Sequence, residues 1–176
     1  MATKKIALCG LFAAITAVVA QISIPIGPVP INFAAVSVFI AAGVLGGRYG
    51  SLSQMVYVLL GAVGLPVFAG FTGGVGHIAG PTGGYIVSYI IMALVAGLLI
   101  RSGKKLSNKR IILGLTIGQI IQYIIGTFWY CFVTKTHWLS ALMVCVVPFI
   151  IGDIIKIIIS TAAIKKLAVP FKMIIK

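Results

Sequence analysis

Apolar residues run through this chain in six long blocks, cut by short clusters of glycine, proline and basic residues. A hydrocarbon core is crossed by about 20 apolar residues, fewer where the bilayer thins, so each block is expected to be a transmembrane helix. The expected spans are 6–23, 31–45, 51–64, 84–100, 111–130 and 139–164. The first ends at the breakers Pro25, Gly27, Pro28 and Pro30, the third at Pro66, and the sixth carries Pro148 and Gly152, which are expected to bend or interrupt it. Together they predict an all-α integral membrane fold in a single transmembrane domain, residues 1–176. The apolar run from Ile6 has no small-residue cleavage site before Pro25, so it reads as the first span rather than as a cleaved leader.

One segment breaks the pattern. Between the third and fourth blocks, residues 70–85 hold seven glycines in sixteen positions and remain apolar. Each glycine weakens a helix by about 1 kcal/mol relative to alanine, which excludes a regular spanning helix. Irregular backbone at membrane depth is tolerated where it lines a cavity or is buried in protein, and glycine lets backbone approach a ligand closely. A loop that caps or lines a site is expected here.

Composition closes off the soluble classes. Hydrophobic residues make up 61% of the chain, charged residues 9%, and the mean hydropathy is +1.21, which leaves too little polar surface to coat a water-soluble domain of this size. The formal charge of +13 would suggest nucleic acid in a soluble protein. Here the basic residues sit between the apolar blocks and read as topology signals, since cytoplasmic loops collect Lys and Arg. Lys4, Lys5, Arg48, Arg101, Lys104, Lys105, Lys109, Arg110, Lys165, Lys166, Lys172 and Lys176 fall on one side of a six-span layout. The opposite loops hold only Lys135, so both termini are expected in the cytoplasm, and the glycine-rich segment on the outer side.

The only acidic residue, Asp153, lies inside the last apolar block with Lys156 three positions on. Residues at that spacing share a helix face, and ionisable groups at membrane depth are costly enough that they mark ligand or ion sites. An internal ion pair that pins the helix is the plainer reading, and it is compatible with ligand binding, because a carboxylate accepts from an ammonium and a ligand N–H at once. With a single carboxylate there is no acid/base dyad, no second acidic metal ligand and no proton relay. Cys9, Cys131 and Cys145 have no CxxC spacing, and His77 and His137 have no partner at ligand spacing, so no metal or cofactor is expected. No phosphate-binding GxxxxGK[ST] loop, GxSxG elbow or HExxH helix occurs. Any ATP-driven movement must therefore be powered by partner subunits.

Small residues line one face of the first block: Ala7, Gly10, Ala14 and Ala17, with Ala13 and Ala20 adjacent. Such spacing lets helices pack closely in lipid, either inside the protein or against another membrane subunit.

Several motifs taken together resemble a known family. They are the run from Pro28 to Ile31, Gly64 to Val67, the loop Gly80, Pro81, Thr82, Gly83, Gly84, Tyr85, and Pro148 through Gly152 with Asp153 and Lys156. Over essentially the whole chain they are similar to BioY proteins, the biotin-binding S-components of energy-coupling factor (ECF) transporters. The resemblance implies the six-helix S-component fold, in a prokaryotic cell membrane, with biotin held near the outer side beneath loops. It also implies a transmembrane coupling subunit and two ATPase subunits as partners, docked on the small-residue face through Ala13 with Ala17 or Gly10 with Ala14. For biotin, the expected binding residues are Asp153 and Lys156 for the ureido and carboxylate groups, Gly73, Gly74, Gly83 and Gly84 for close approach, Thr72 for a hydroxyl and Tyr85 for an aromatic wall. One departure stands out: where the family often has Gln after the Pro-Val-Pro run, this chain has Ala34, and Asn32 is the nearby amide.

The leading expectation is a high-affinity biotin-binding subunit, not an enzyme. A stand-alone facilitator or channel, or an S-component for another vitamin, is the alternative. An intramembrane Cys or His enzyme ranks below both, because no nucleophile has a base at sensible spacing.

Overall fold

A computed structural model describes residues 2–24, 29–102 and 106–175, and the side chains of 3–24, 29–102 and 106–168. Pro25, Gly27 and Pro28 of the breaker cluster, and Lys104, Lys105 and Lys176 of the basic clusters, lie outside the described residues. The chain order is α1 (Ala2–Ala20), β1 (Ser23–Ile24), β2 (Ile31–Asn32), α2 (Ala34–Leu45), α3 (Gly47–Ala62), α4 (Val75–Ala79), α5 (Gly83–Arg101), α6 (Asn108–Thr134), α7 (Trp138–Cys145) and α8 (Ile150–Ile175).

Among the described residues four stretches are long and apolar enough to cross a membrane: Thr3–Ala20, Gly83–Arg101, Asn108–Thr134 and Trp138–Ala168. The second and third expected spans are shorter helices, of 12 and 16 residues. A single residue, Gly46, joins them at φ 84°, a left-handed conformation that favours glycine, and a Cβ there would also crowd the Arg101 side chain. The last expected span is two helices. A 3-10 turn, Val147–Phe149, separates α7 from α8, because Pro148 has no N–H to donate and its ring obstructs a continuing helix.

Glycine sets the helix spacing. A Cβ on Gly97 would lie 2.4 Å from the Gly47 nitrogen, and one on Gly114 would lie 2.9 Å from the Ala96 oxygen. Backbones of α3 and α6 therefore approach α5 closely, as small residues allow in lipid. Around these contacts Phe39, Tyr57, Phe68, Met92, Ile100, Leu115 and Ile164 form a fully buried core.

The last helix is inside out relative to a soluble protein. Its buried face carries Asp153, Lys156, Ser160 and Thr161, while Ile151, Ile154, Ile155, Ile158 and Ile159 are exposed. Only a lipid exterior makes that arrangement favourable, and the chain is a multi-pass membrane protein.

Two short structures gather at the end of the bundle away from the basic clusters. The strands β1 and β2 pair antiparallel, Ser23 opposite Asn32 and Ile24 opposite Ile31. The glycine-rich segment forms a Phe68–Thr72 bridge followed by the one-turn helix α4. It is well tethered: Gln21 accepts from the Phe71 N–H at 2.8 Å and donates to the Val67 carbonyl at 3.1 Å, the Gly74 N–H donates to the Gly61 carbonyl at 2.7 Å, and the Trp129 indole donates to the Gly80 carbonyl at 2.9 Å.

On α1, Ala13 is buried in the core and Ala17 is half-buried, whereas Gly10 and Ala14 face outward, with open space around Gly10. Ala13 thus belongs to the internal packing of the bundle, and the outward small-residue pair is Gly10 with Ala14.

Candidate functional site

The first two turns of α8 present Asp153 and Lys156 inward, three positions apart on one face. Lys156 Nζ donates to Asp153 Oδ1 at 2.7 Å, and both side chains are buried. From α6, Gln119 Nε2 donates to Asp153 Oδ2 at 2.8 Å and the Tyr123 hydroxyl donates to the same oxygen at 2.5 Å. The carboxylate is thus fully accommodated in apolar surroundings, as burial of a charge requires. Because it accepts only, it obliges Gln119 to turn its NH2 toward it, which leaves Gln119 Oε1 buried without a partner.

These groups form one wall of a small chamber of about 50 Å³. Val29, Pro30, Asn32 and Ala35 line it from the hairpin and α2, Tyr85 and Tyr89 from α5, and Cys145 and Phe149 from around the α7–α8 break. Asn32 Oδ1 accepts from the Ala34 N–H at 3.2 Å, which secures the start of α2, and from the Tyr89 hydroxyl at 3.3 Å. Tyr85 shares a 2.8 Å hydrogen bond with Thr127. A second, larger chamber of about 300 Å³ adjoins the first and shares Val29, Pro30, Asn32, Tyr85 and Tyr89 with it. Tyr57, Phe68 and Ile86 make it apolar, and His77, Pro81 and Thr82 close it from the glycine-rich segment.

Of the residues expected at a binding site, the fold brings Asp153, Lys156, Asn32 and Tyr85 to this cavity. Thr72, Gly73, Gly74, Gly83 and Gly84 are not in its walls. Their contacts are within the protein. Thr72 donates to the Ala69 carbonyl, and a Cβ on Gly73 would strike the Leu65 oxygen at 2.3 Å. Gly74 adopts φ 95° to turn into α4. Gly83 and Gly84 allow α5 to touch Ile78 of α4 and Trp129 of α6. The close approach that glycine permits is to neighbouring protein.

Sequence reasoning missed Gln119, Gln122, Tyr123, Tyr89 and His77. Gln119, Gln122 and Tyr123 fall at i, i+3 and i+4 on an apolar helix, a polar stripe that was available as a signal. Tyr89 is four positions beyond Tyr85 and follows by the same logic. His77 had no such signal, since only the folding of the glycine-rich segment brings it to the chamber wall. His137 accepts from the Leu139 N–H and caps α7. The three cysteines are free, and the described residues contain no cluster of His, Cys, Asp or Glu suited to a metal.

This chain matches the BioY family model over residues 1–172. It belongs to the BioY family. A BioY relative from Pyrococcus horikoshii, named a probable biotin transporter, is 42% identical over 156 residues, covering 89% of this chain and 91% of that one. Another, the biotin transporter BioY of Thermotoga maritima, is 42% identical over 157 residues with the same coverage. Among solved structures, the S-component for biotin from an ECF-type ABC transporter superposes with a TM-score of 0.87 at 28% identity, covering 94% of this chain and 90% of that one. The S component of a bacterial ECF transporter matches the fold with a TM-score of 0.58 at 22% identity, covering 100% and 99%.

Proposed function

We propose that this chain is the biotin-binding S-component of an ECF-type vitamin uptake transporter in the cell membrane of a prokaryote. The observation that carries the reading is a buried, charge-balanced Asp153–Lys156 pair in the wall of a cavity lined in part by aromatic side chains, in a chain whose family relatives are named biotin transporters. Biotin is compact and largely apolar, with two ureido N–H donors, a ureido carbonyl and a carboxylate tail. Aromatic walls with a few convergent polar groups suit such a ligand. Asp153 accepts a ureido N–H and Lys156 meets the ureido oxygen while balancing Asp153. Asn32 and Tyr85 complete the wall.

In this reading the bilayer is crossed six times, by α1, α2, α3, α5, α6 and the broken α7–α8 unit, within a single transmembrane domain. The basic clusters hold both termini in the cytoplasm. The hairpin and α4 then lie on the outer side, over the cavity. Uptake needs a transmembrane coupling subunit and two ATPase subunits, which hydrolyse the ATP. Gly10 and Ala14 on α1 form the close-approach surface for the coupling subunit.

The test is equilibrium binding of biotin to the purified protein in detergent, with thiamine and riboflavin as controls. Biotin alone binds tightly, and Asp153→Asn weakens it by roughly a hundredfold, the scale of losing a charge-assisted hydrogen bond in a dry site. Absence of biotin binding by folded wild-type protein would sink the proposal.

A further inference from the structure

The cavity has two chambers of different chemistry, and the difference says how an elongated, singly anionic ligand must lie in it. The small chamber holds a cation, Lys156, but that cation is already engaged by Asp153 at 2.7 Å, so the pair carries no net charge. The rest of its polar lining includes the Asp153 carboxylate and the amides of Gln119, Gln122 and Asn32, whose Oδ1 already accepts from the Ala34 N–H and the Tyr89 hydroxyl. Such a wall favours ligand N–H groups and penalises a second carboxylate, because like charges close together in low dielectric repel strongly.

The larger chamber has no acidic side chain. Its ionisable groups are the phenols of Tyr57, Tyr85 and Tyr89 and the imidazole of His77. Among the described residues lining either chamber, His77 is the one group besides Lys156 that can carry positive charge. It is also the better placed to meet a solvent-facing anion, since it is exposed overall while still contributing to the chamber wall.

His77 is held in place rather than swinging from a loose loop. Its ring stacks on Phe68 with centroids 6.3 Å apart and planes at 28°. Phe68 is itself fixed, edge-on to Tyr57 at 5.6 Å and against Gly61, where any Cβ would fall within 2.0 Å of the ring. The backbone beneath His77 is anchored through its N–H to the Gly74 carbonyl and through the Gly74 N–H to the Gly61 carbonyl. Thr82 lines the same chamber and adds a hydroxyl donor.

We infer that His77 is the specificity residue for the ligand's anionic tail, so that the ligand lies with the N–H edge of its rings turned to the small chamber and its carboxylate under α4. This rests on the biotin reading above. A positively charged or N–H-donating imidazole meets the carboxylate, and Thr82 supports it.

The experiment compares biotin with its uncharged primary amide, binding each to wild type, His77→Ala, His77→Arg and Lys156→Gln. Wild type prefers biotin to the amide by about tenfold or more, the scale of one charge-assisted contact. His77→Ala abolishes that preference by weakening biotin while leaving the amide nearly unchanged, and His77→Arg restores it. Lys156→Gln weakens both ligands alike. If the preference survives in His77→Ala, or disappears in Lys156→Gln instead, the ligand is inverted and the inference is overturned. Wild type that binds neither compound overturns the biotin reading itself, a result distinct from equal binding of both, which removes only the role of His77.

Discussion

Asp153 meets three donors in the fold, Lys156 from its own helix and Gln119 and Tyr123 from α6. Removing only the cation leaves a buried carboxylate whose charge is compensated by neutral dipoles alone. Loss of one partner from such a pair costs on the order of 3–5 kcal/mol, whereas replacing both with neutral side chains of similar size is close to neutral. Lys156→Ala is therefore expected to unfold well below wild type in a detergent thermal melt, and the double variant Asp153→Asn/Lys156→Met to recover most of the difference. Both bind biotin more weakly than wild type. A Lys156→Ala melt equal to wild type would mean that the carboxylate is not paired as described. Asp153 and Lys156 were legible from sequence because a solitary acid in an apolar block is too costly to stand there without a partner or a ligand. Gln119 was harder to see, since an amide in a long helix becomes notable only when something across the interface needs its donor.

At the scale of elements, the site depends on how closely α5 and α6 approach. A Cβ on Gly126 would lie 2.2 Å from the Tyr85 ring, and one on Gly84 would lie 2.2 Å from the Trp129 side chain. Overpacking of this kind costs roughly 1–3 kcal/mol. Gly126→Ala is predicted to push Tyr85 from its place beside Thr127, to lower the melting temperature and to weaken biotin about tenfold. Gly76, in α4, has open space where its Cβ would stand, so Gly76→Ala should bind biotin as wild type does and melt at the same temperature or slightly higher. A fall in affinity for Gly76→Ala with none for Gly126→Ala would contradict this account of the helix contacts. The glycine pattern in the sequence announced close approach but did not name the partner. Gly83 and Gly84 were expected to admit a ligand, and in the fold they admit Ile78 and Trp129, because a missing Cβ looks the same in sequence whichever surface fills it. The break between α7 and α8, by contrast, was legible, since Pro148 carries its own local cause.

For the whole molecule, the polar face of α8 turns inward and its isoleucines turn out, so the bundle is finished by lipid rather than water. The outward small-residue pair on α1, Gly10 and Ala14, is the place where another helix could approach. Gly10→Leu is expected to leave biotin binding and thermal stability of the isolated protein unchanged, and to reduce both co-purification with the coupling subunit and ATP-dependent uptake. Uptake at the wild-type level in that variant would remove α1 as the docking surface. Composition and block length by themselves determined that the chain is helical and membrane-embedded, because too few polar residues exist to coat it in water. The isolated Asp153 and Lys156 likewise had to lie on one helix face, since local geometry permits nothing else. Which residues surround that pair was decided only by the tertiary structure. Gln119, Tyr123, Tyr89, Asn32 and His77 come from four separate stretches of chain, and their meeting depends on helix register and on the folding of the glycine-rich segment, which no local pattern encodes.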